Sequence, residues 1–284
     1  SKNYDHNFSQ WSPRVGVMHD LTPKHQIFAS VSRNFEAPIH GLAGSTTLAT
    51  KAQSGTTFEV GTRGEMTQGN GQLGWDATYY RSSLRNEFLS ACVVPGCVNP
   101  TTINVPKSMH QGVELGLSHL HARKMDSRLA LLYSDFKFVD LTAYGNNQLP
   151  GFPPIIVRAE SLYRFGAEVN GKPSIYAGPK LEWVPRKAPM DNTNTVDRDG
   201  YTLLGFKAGQ AIDKTWSWFA DARNLANKKY AGTTNIAANY STTNKTKLPH
   251  DYKYTDAKPK DVVPASVMFG KPITLTKESD PIQS

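Results

Sequence analysis

The sequence contains little cysteine and no long hydrophobic run. Only 2 of the 284 residues are cysteines, and no segment approaches the roughly 20 consecutive apolar residues of a transmembrane helix. A transmembrane β-barrel is not excluded, because a barrel strand exposes only every second side chain to lipid. The low mean hydropathy therefore does not separate a soluble β protein from a membrane barrel.

The motifs of common enzyme and metal sites are also missing. The 8 histidines are dispersed; His119 and His121 share one face of a strand, but no carboxylate or cysteine completes a metal set. No Gly-rich phosphate loop, GxSxG or HExxH segment occurs. We therefore expect no catalytic residues, no metal site and no cofactor, and we interpret the protein as a non-enzyme.

The net charge of +8 would suit a nucleic acid or an anionic membrane as partner. The basic residues are scattered along the chain, however, and no helix-turn-helix or RRM-like aromatic signature is present. We expect no nucleic-acid partner. A positive charge also suits a surface that faces phosphate-rich lipid.

The two cysteines lie close together in the segment CVVPGC, as Cys92 and Cys97. No metal-ligand spacing surrounds them, so a small loop disulfide is favoured over a zinc site, and two free thiols are the alternative. A disulfide would place the chain in an oxidising compartment or at the cell exterior.

Apolar and polar residues alternate with the period of a β-strand along most of the chain. Many of these runs are longer than a typical globular strand and close to the 9 to 11 residues that cross a bilayer at a tilt. The sequence predicts an all-β fold of about eleven strands, over 12–21, 26–35, 56–66, 72–85, 109–120, 127–139, 155–166, 173–184, 201–212, 215–225 and, weakly, 262–275.

The connections between these strands alternate in length. Short turns such as TQGNG and HARKMD separate long segments over 36–55, 86–108, 140–154, 185–200 and 226–261. In an up-and-down antiparallel sheet, successive connections lie at opposite edges. The short turns therefore lie at one edge and the long loops at the other, which is typical of outer-membrane barrels.

The two faces of the predicted strands differ in charge. Phe58 and Val60, for example, alternate with Glu59 and Gly61. An Arg or Lys on the lipid face at the bilayer centre costs about 2–4 kcal/mol, so the charged face is expected to line the barrel lumen. The residues concerned are Glu59, Arg63, Glu114, Arg158, Glu160, Lys180 and Glu182. A soluble β-sandwich also alternates and is the alternative fold.

The strand count points to a larger barrel. Eleven is odd, whereas single-chain outer-membrane barrels of bacteria have an even number of strands. We expect the chain to be the C-terminal part of a longer barrel, with a partial barrel domain over 1–275 and a polar tail over 276–284.

Several segments, taken in order, resemble the C-terminal half of the TonB-dependent outer-membrane receptors, the family of ferric siderophore transporters. They are WSPRVGVMHDLTPKHQIFASVSRNFEAP, TTFEVGTRGE, HQGVELGL, DGYTLLGFKAG and ADARNLANKKYAG. The resemblance implies an antiparallel transmembrane barrel of 22 strands around an N-terminal plug, of which eleven strands are half. It also implies that Asp221 and Arg223 line the lumen and that Trp216 and Trp218 belong to the periplasmic aromatic girdle.

The resemblance implies location in the bacterial outer membrane, with lipid, a ferric chelate or similar small molecule, and the TonB complex as partners. TonB would act only through a plug domain, which we expect this chain to lack, so we do not expect it to transport alone. The lumen charges would form ladders with one another and hydrogen bonds to a plug. A non-functional remnant and a soluble β-sandwich binding module are the alternative functions.

Ligand contacts are expected from the outer strand ends and loops. Arginine and tyrosine suit an anionic chelate that carries catechol or carboxylate groups. The candidates are Arg33, Asn34, Phe35, His40, Tyr144, Arg186, Tyr230, His250, Tyr252 and Tyr254. An iron chelate is the first expectation for the ligand, and haem, cobalamin, a copper complex or a quinone cofactor are alternatives.

Overall fold

The structure, a computed structural model, describes residues 9–38, 51–91, 101–169 and 171–232. Within these ranges the regular structure is entirely β. No helix in them is long and apolar enough to cross a membrane. The strands are β1 (Arg14–Thr22), β2 (His25–Glu36), β3 (Gln53–Gln68), β4 (Gly71–Ala91), β5 (Thr101–His121), β6 (Met125–Phe138), β7 (Ile155–Val169), β8 (Lys172–Val184), β9 (Ala188–Pro189), β10 (Asp197–Arg198), β11 (Tyr201–Ala211) and β12 (Ser217–Ala222).

Ten of the strands form one antiparallel sheet in the order β1-β2-β3-β4-β5-β6-β7-β8-β11-β12. Each strand pairs with the one before it, except that β9 and β10 form a small separate ladder inside the connection from β8 to β11. The all-β antiparallel prediction is confirmed for ten strands. The eleventh predicted strand, over 262–275, lies outside the described residues.

The connections have the predicted asymmetry. Within the sheet, β1–β2, β3–β4, β5–β6, β7–β8 and β11–β12 are joined by short turns, and all of these lie at one edge. Gly69 adopts a positive φ of 57° in the β3–β4 turn, which glycine tolerates without steric cost. We call the edge of the sheet that carries the short turns the short-turn edge, and the opposite edge the long-loop edge.

Strands β4 and β5 extend well beyond their predicted ends. Each has 21 residues, about 70 Å at roughly 3.3 Å per residue, and their pairing continues through Glu87↔Val105 to Ala91↔Thr101. Asn86 and Pro106 resemble loop residues in the sequence. Asn86 is accommodated with a positive φ of 54°, so the segment that we expected to be a loop is mostly strand.

Strand pairing places apolar and charged side chains on opposite faces of the sheet. One continuous row contains Trp75, Leu117, Leu129, Ala159, Leu181 and Leu204. A row on the other face contains Arg63, Asp76, Gly116, Ala130, Arg158 and Glu182. We call these the apolar face and the charged face.

Aromatic side chains border the apolar face near both edges. Trp75, Tyr163, Phe165 and Trp218 lie toward the short-turn edge, and Phe58, Tyr79, Tyr133 and Trp183 toward the long-loop edge. Along β6, the pairs Met125↔Tyr163 and Tyr133↔Ile155 are eight residues apart. That is about 26 Å along the strand, or about 20 Å in height at a tilt of about 40°, which is comparable with the apolar band of a membrane barrel.

A packed cluster of buried hydrophobic side chains lies at the long-loop edge of the sheet. It consists of Val105, Phe138, Tyr144 and Leu149. The connection after β6 folds back over β5 and β6, because the N–H of Leu149 donates to the carbonyl of Phe136 over 2.8 Å. The sheet itself is held mainly by backbone pairing.

Gly178 in β8 is required by close approach of the neighbouring strand. A Cβ atom there would overlap the backbone carbonyl of Ser161 in β7. We expect Gly178→Ala to destabilise the protein by about 1–3 kcal/mol, the usual cost of overpacking. Urea unfolding of the full chain in detergent measures this.

Gly116→Ala is the matched control, since Gly116 lies on the same face and a Cβ there comes no closer than 3.9 Å to another heavy atom. Equal stability of the two variants would show that position 178 does not require glycine.

Asp213 fixes the turn between β11 and β12. Its Oδ1 accepts hydrogen bonds from the N–H groups of Trp216, over 2.7 Å, and Thr215, over 2.6 Å. These bonds lower the pKa of the Asp213 carboxyl, with the bond from Trp216 the larger cause. A group with a lowered folded pKa stabilises the fold above its unfolded pKa, and this stabilisation is lost as the pH falls through the folded value.

We therefore expect the protection factor of the Trp216 amide, which is the intrinsic exchange rate divided by the observed rate at the same pH, to fall below about pH 4, and to be already low at neutral pH in Asp213→Ala. NMR exchange measurements test this, with the neighbouring exposed Lys214→Ala as control. The same pH profile in Asp213→Ala as in the unaltered chain would contradict the assignment.

Candidate functional site

A cavity of about 1180 Å³ lies against the charged face and extends from the β1–β2 turn to the end of β12. Because residues of β1 and residues that directly follow β12 line one cavity, the sheet curves with its charged face on the concave side. All nine residues predicted to line a lumen lie on this face. Of these, the following contribute to the cavity wall: Arg63, Arg158, Glu160, Lys180, Glu182 and Arg223.

Opposite charges pair across strands β7 to β12. Arg158 Nε lies 2.9 Å from Glu182 Oε2, and the Tyr201 hydroxyl donates to Glu182 Oε1 over 2.9 Å. The Glu182 carboxylate of β8 therefore contacts side chains of both neighbouring strands, β7 and β11. Since Arg158 and Glu182 are paired directly in the β7–β8 register, this contact is the ordinary cross-strand kind.

Two lysines instead reach across an intervening strand. Lys180 of β8 lies opposite Gly205 of β11, yet its Nζ is 2.6 Å from Asp221 Oδ2 on β12. Lys207 of β11 lies opposite Gly178 of β8, and its Nζ is 3.6 Å from Glu160 Oε2 on β7. A glycine has no side chain to block the lysine, so the two ion pairs join four strands.

Asp221 is the least satisfied carboxylate of this group. Its Oδ2 accepts from Lys180, but its Oδ1 is buried and has no hydrogen-bond partner within the described structure. Arg223 Nε lies 3.8 Å from that Oδ1, too far for a hydrogen bond. Asp221 therefore carries one buried acceptor that no donor in the described structure satisfies.

The first strands are linked in the same manner. Glu59 lies 3.7 Å from Arg14 and accepts from the Ser30 hydroxyl over 3.1 Å, while Arg63 donates to the Gln26 amide oxygen over 2.8 Å. Glu114 lies between Thr78 and Leu132 in register. The concave face thus carries many charges but compensates most of them internally.

The connections at the long-loop edge form a joined layer, which we call the crown: residues 139–154, 185–200 and 223–232. The buried Asp191 carboxylate accepts from the N–H groups of Thr195 and Val196, each over 2.9 Å. Asn194 then joins the first two segments, because its amide both accepts from the Gln148 N–H over 2.8 Å and donates to the Gln148 carbonyl over 2.9 Å.

Arg198 and Tyr201 attach the third segment to the crown. Arg198 Nη1 donates to the carbonyls of Ala231 and Gly232, each over 3.0 Å, and the ring centroid of Tyr201 lies 4.6 Å from that of Tyr230. The Arg198 Nη2 atom is buried without a hydrogen-bond partner within the described structure.

The Asn-Leu segment after β12 has a clear structural role. Asn224 adopts a positive φ of 52°, its side chain accepts from the Lys228 N–H over 2.7 Å, and it donates to the Lys228 carbonyl over 3.0 Å. The N–H of Leu225 still bonds the Leu204 carbonyl of β11 over 2.8 Å. Asn224 therefore turns the chain away from the sheet into the crown.

The candidate ligand residues of β2 divide between the two faces. Asn34 lies on the charged, concave face, whereas Arg33 and Phe35 share the opposite face with Val31. Neighbouring side chains of a strand point to opposite sides of the sheet, so Asn34 is the one of these three that faces the concave side.

The remaining candidates have different surroundings. Tyr144 is buried in the core against Phe138, at a centroid distance of 5.3 Å, so its ring is part of the packing and not of an open ligand surface. Arg186 is exposed on the crown, and Tyr230 is half-buried on Tyr201. His40, His250, Tyr252, Tyr254, Cys92 and Cys97 lie outside the described residues.

The sequence interpretation missed several residues of the site. Lys207 was detectable, since it alternates with Phe206 and Ala208 on the polar side of its strand. Asp191, Arg198 and Tyr201 carried no sequence signal, because their partners lie in other loops or strands. Among the described residues, no three His, Cys, Asp or Glu side chains gather to hold a metal ion.

The curved antiparallel sheet, with an apolar outer face and a charged concave face, defines the wall of a β-barrel with a polar interior. The chain belongs to the TonB-dependent receptor β-barrel family: residues 1–225 match the family described as "TonB dependent receptor-like, beta-barrel". This confirms the resemblance inferred from the sequence motifs.

Solved structures of similar fold include the siderophore receptor PiuA from Acinetobacter baumannii, at 18% identity and a TM-score of 0.61, over 80% of this chain and 33% of that one. The copper transporter OprC matches at 17% identity and 0.62, over 82% and 37%. The ferric-catecholate import receptor Fiu from Escherichia coli K12 matches at 16% identity and 0.58, over 79% and 32%.

The chain thus spans about a third of the length of these receptors. No curated protein sequence matches it. At these identities the likeness shows the fold alone. It does not assign the ligands of the three receptors to this chain.

The Lys180–Asp221 pair is expected to contribute measurably to stability, because its side chains are only 24% and 17% exposed. We expect a double-mutant cycle with Lys180→Met and Asp221→Asn to give a coupling energy of about 1–2 kcal/mol. Urea unfolding in detergent measures each variant.

The exposed pair Lys187–Asp199, at 66% and 85% exposure, is the matched control. Its coupling should stay below about 0.5 kcal/mol. If the coupling energy of Lys180–Asp221 were as small as that of the exposed pair, the ion pair that crosses β11 at Gly205 would not stabilise the sheet.

Proposed function

We propose that this chain forms part of the wall of a bacterial outer-membrane receptor that takes up a scarce chelate, with a ferric siderophore as the first candidate. The observation that carries the proposal is the separation of the faces, apolar outside and charged inside, on one continuous antiparallel sheet. Family membership supports the same function, since this family consists of transport receptors.

A lipid surrounding accounts for the exposed apolar face. Phe58, Val60, Tyr163, Leu204 and Phe206 are each more than 40% exposed, although they lie in strands and not in loops. In lipid such side chains carry no cost, and the paired strands satisfy the backbone hydrogen bonds that lipid cannot accept.

A soluble β-sandwich does not agree with the structure. A sandwich requires two sheets that pack face to face and bury their apolar faces. The described strands form one ten-stranded sheet and a two-residue ladder, and the apolar face has no second sheet against it.

The crown is the proposed place of ligand contact. Arg186 is exposed there, and Asn34 is exposed on the concave face. A guanidinium group suits the carboxylate or catecholate oxygens of an anionic ferric chelate. PiuA and Fiu favour an iron chelate, and OprC makes a copper complex the second candidate.

The charges of the concave face are proposed to serve the transport step. Since most are paired with each other, a plug domain seated against this face would exchange hydrogen bonds with a pre-arranged set of donors and acceptors. Coupling to the TonB complex would act through such a plug.

The experiment expresses the full chain with a periplasmic export signal in a Gram-negative host. We expect a heat-modifiable β protein in the outer-membrane fraction. Membranes that contain it should bind a radiolabelled ferric catecholate, and Arg186→Ala should weaken this binding about three- to tenfold through loss of a charge-assisted hydrogen bond.

Arg123→Ala, which removes one exposed cation from the short-turn edge, is the control and should bind as the unaltered chain does. A folded chain that remains soluble in the periplasm would contradict the membrane location. Folded protein in the outer membrane without binding would restrict the proposal to a receptor remnant or to another ligand.

A further inference from the structure

The apolar face carries a group of cations toward the long-loop edge. Register places Arg33 of β2, Arg81 and Arg85 of β4, Lys107 of β5 and Lys137 of β6 on this face. We call these five residues the basic belt. They lie on the side of the sheet away from the charged cavity, so the proposed chelate path does not use them.

The change from apolar to polar residues is abrupt on β4, β5 and β6 and occurs in the same row of these three strands, whereas β3 keeps Phe58 opposite Arg81. On this face of β4, Trp75, Ala77 and Tyr79 are followed by Arg81. The adjacent strands change in the same row, from Val113 to Gln111 in β5 and from Tyr133 to Asp135 in β6. The belt therefore begins where the apolar band ends.

The positive charges of the belt are largely uncompensated. Asp135 is the carboxylate in these rows, and it lies 3.5 Å from Lys137 and accepts from the Gln111 amide over 2.9 Å. Arg81, Arg85 and Lys107 are exposed and form no ion pair within the part of the chain that the structure describes.

Arg85 and Lys107 even lie directly opposite each other in the β4–β5 register. Like charges in that arrangement repel and destabilise a sheet. An anion held between them would remove this repulsion. By contrast, two cations of the concave face, Arg158 and Lys180, have the carboxylate partners Glu182 and Asp221.

We propose that the basic belt binds the phosphate groups of an anionic lipid headgroup in the membrane leaflet at the long-loop edge. This inference rests on the proposed function, since it requires the apolar face to lie in lipid. Arg81 is two residues beyond Tyr79, about 7 Å along the strand, so it directly follows the apolar band on β4.

Continuity with the apolar band selects a lipid over a soluble anion or a protein. A phosphorylated lipid places its acyl chains on Val113, Tyr79 and Tyr133 and its phosphate on the arginines directly beyond them. Arginine binds phosphate through two parallel N–H···O bonds, and long basic side chains at the end of an apolar band extend to the interface.

The test uses the full chain folded in neutral detergent micelles, with fluorescent phosphatidic acid as the probe and phosphatidylcholine as the neutral lipid. We expect saturable binding of phosphatidic acid that weakens with salt. The triple variant R81Q/R85Q/K107Q should raise its Kd at least about tenfold, given the attraction of each surface cation to anionic lipid.

The matched control is R123Q/K172Q/K214Q, which removes three exposed cations from the short-turn edge. It has the same net charge as the belt variant and should change the Kd less than about twofold. If the triple variant does not fold, the single variants R85Q and K107Q should give Kd values between those of the unaltered chain and the triple variant's expected value. Heat modifiability checks the folding of each variant.

Equal affinities of the belt and control variants would overturn the lipid site and leave the receptor proposal standing. Displacement of the lipid by an equal concentration of glycerol phosphate would overturn it as well, because the belt would then be a site for soluble anions. Failure of the unaltered chain to fold in detergent would contradict the membrane barrel and the lipid site together.

Discussion

Backbone pairing between neighbouring strands is the interaction on which the described structure depends. The buried hydrophobic cluster has four members and lies at the long-loop edge, so packing alone does not hold the sheet together. The antiparallel ladder satisfies the backbone groups between neighbouring strands and leaves one face, apolar up to the basic belt, without a second sheet against it in the described part of the chain. That arrangement is stable where the surroundings are apolar too, which is why the fold itself favours a membrane.

The same constraint explains how polar chemistry is distributed. Side chains excluded from the apolar face collect on the concave one, where opposite charges on successive strands compensate each other. Gly178 and Gly205 extend this network by leaving room for Lys207 and Lys180 to cross a strand. The result is a wall whose charges are largely paired with one another, whereas Arg81, Arg85 and Lys107 at the proposed lipid boundary have no ion pair in the described part of the chain.

Much of this was predictable from the period of two. Glu59 and Glu182 were assigned to one face because each stands between apolar neighbours in its own strand, and Arg63 because it continues the alternation of Glu59 and Gly61. The ends of β4 and β5 were not predictable, since Asn86 and Pro106 have the local preferences of a loop and only pairing between Glu87 and Val105 makes the segment a strand. Tyr144 was misjudged because burial depends on a loop that folds back.

The sequence by itself determined the strand type, the two faces, the alternation of turn lengths and the family, because all four depend on local period or on short ordered motifs. Tertiary structure decided which charges meet, that Arg33 and Phe35 lie on the face opposite Asn34, and that cations from five positions of four strands form one belt. Those properties depend on the strand register, which brings together residues that are about 20 to 100 positions apart in the sequence. A local residue pattern does not determine which of these distant residues become neighbours.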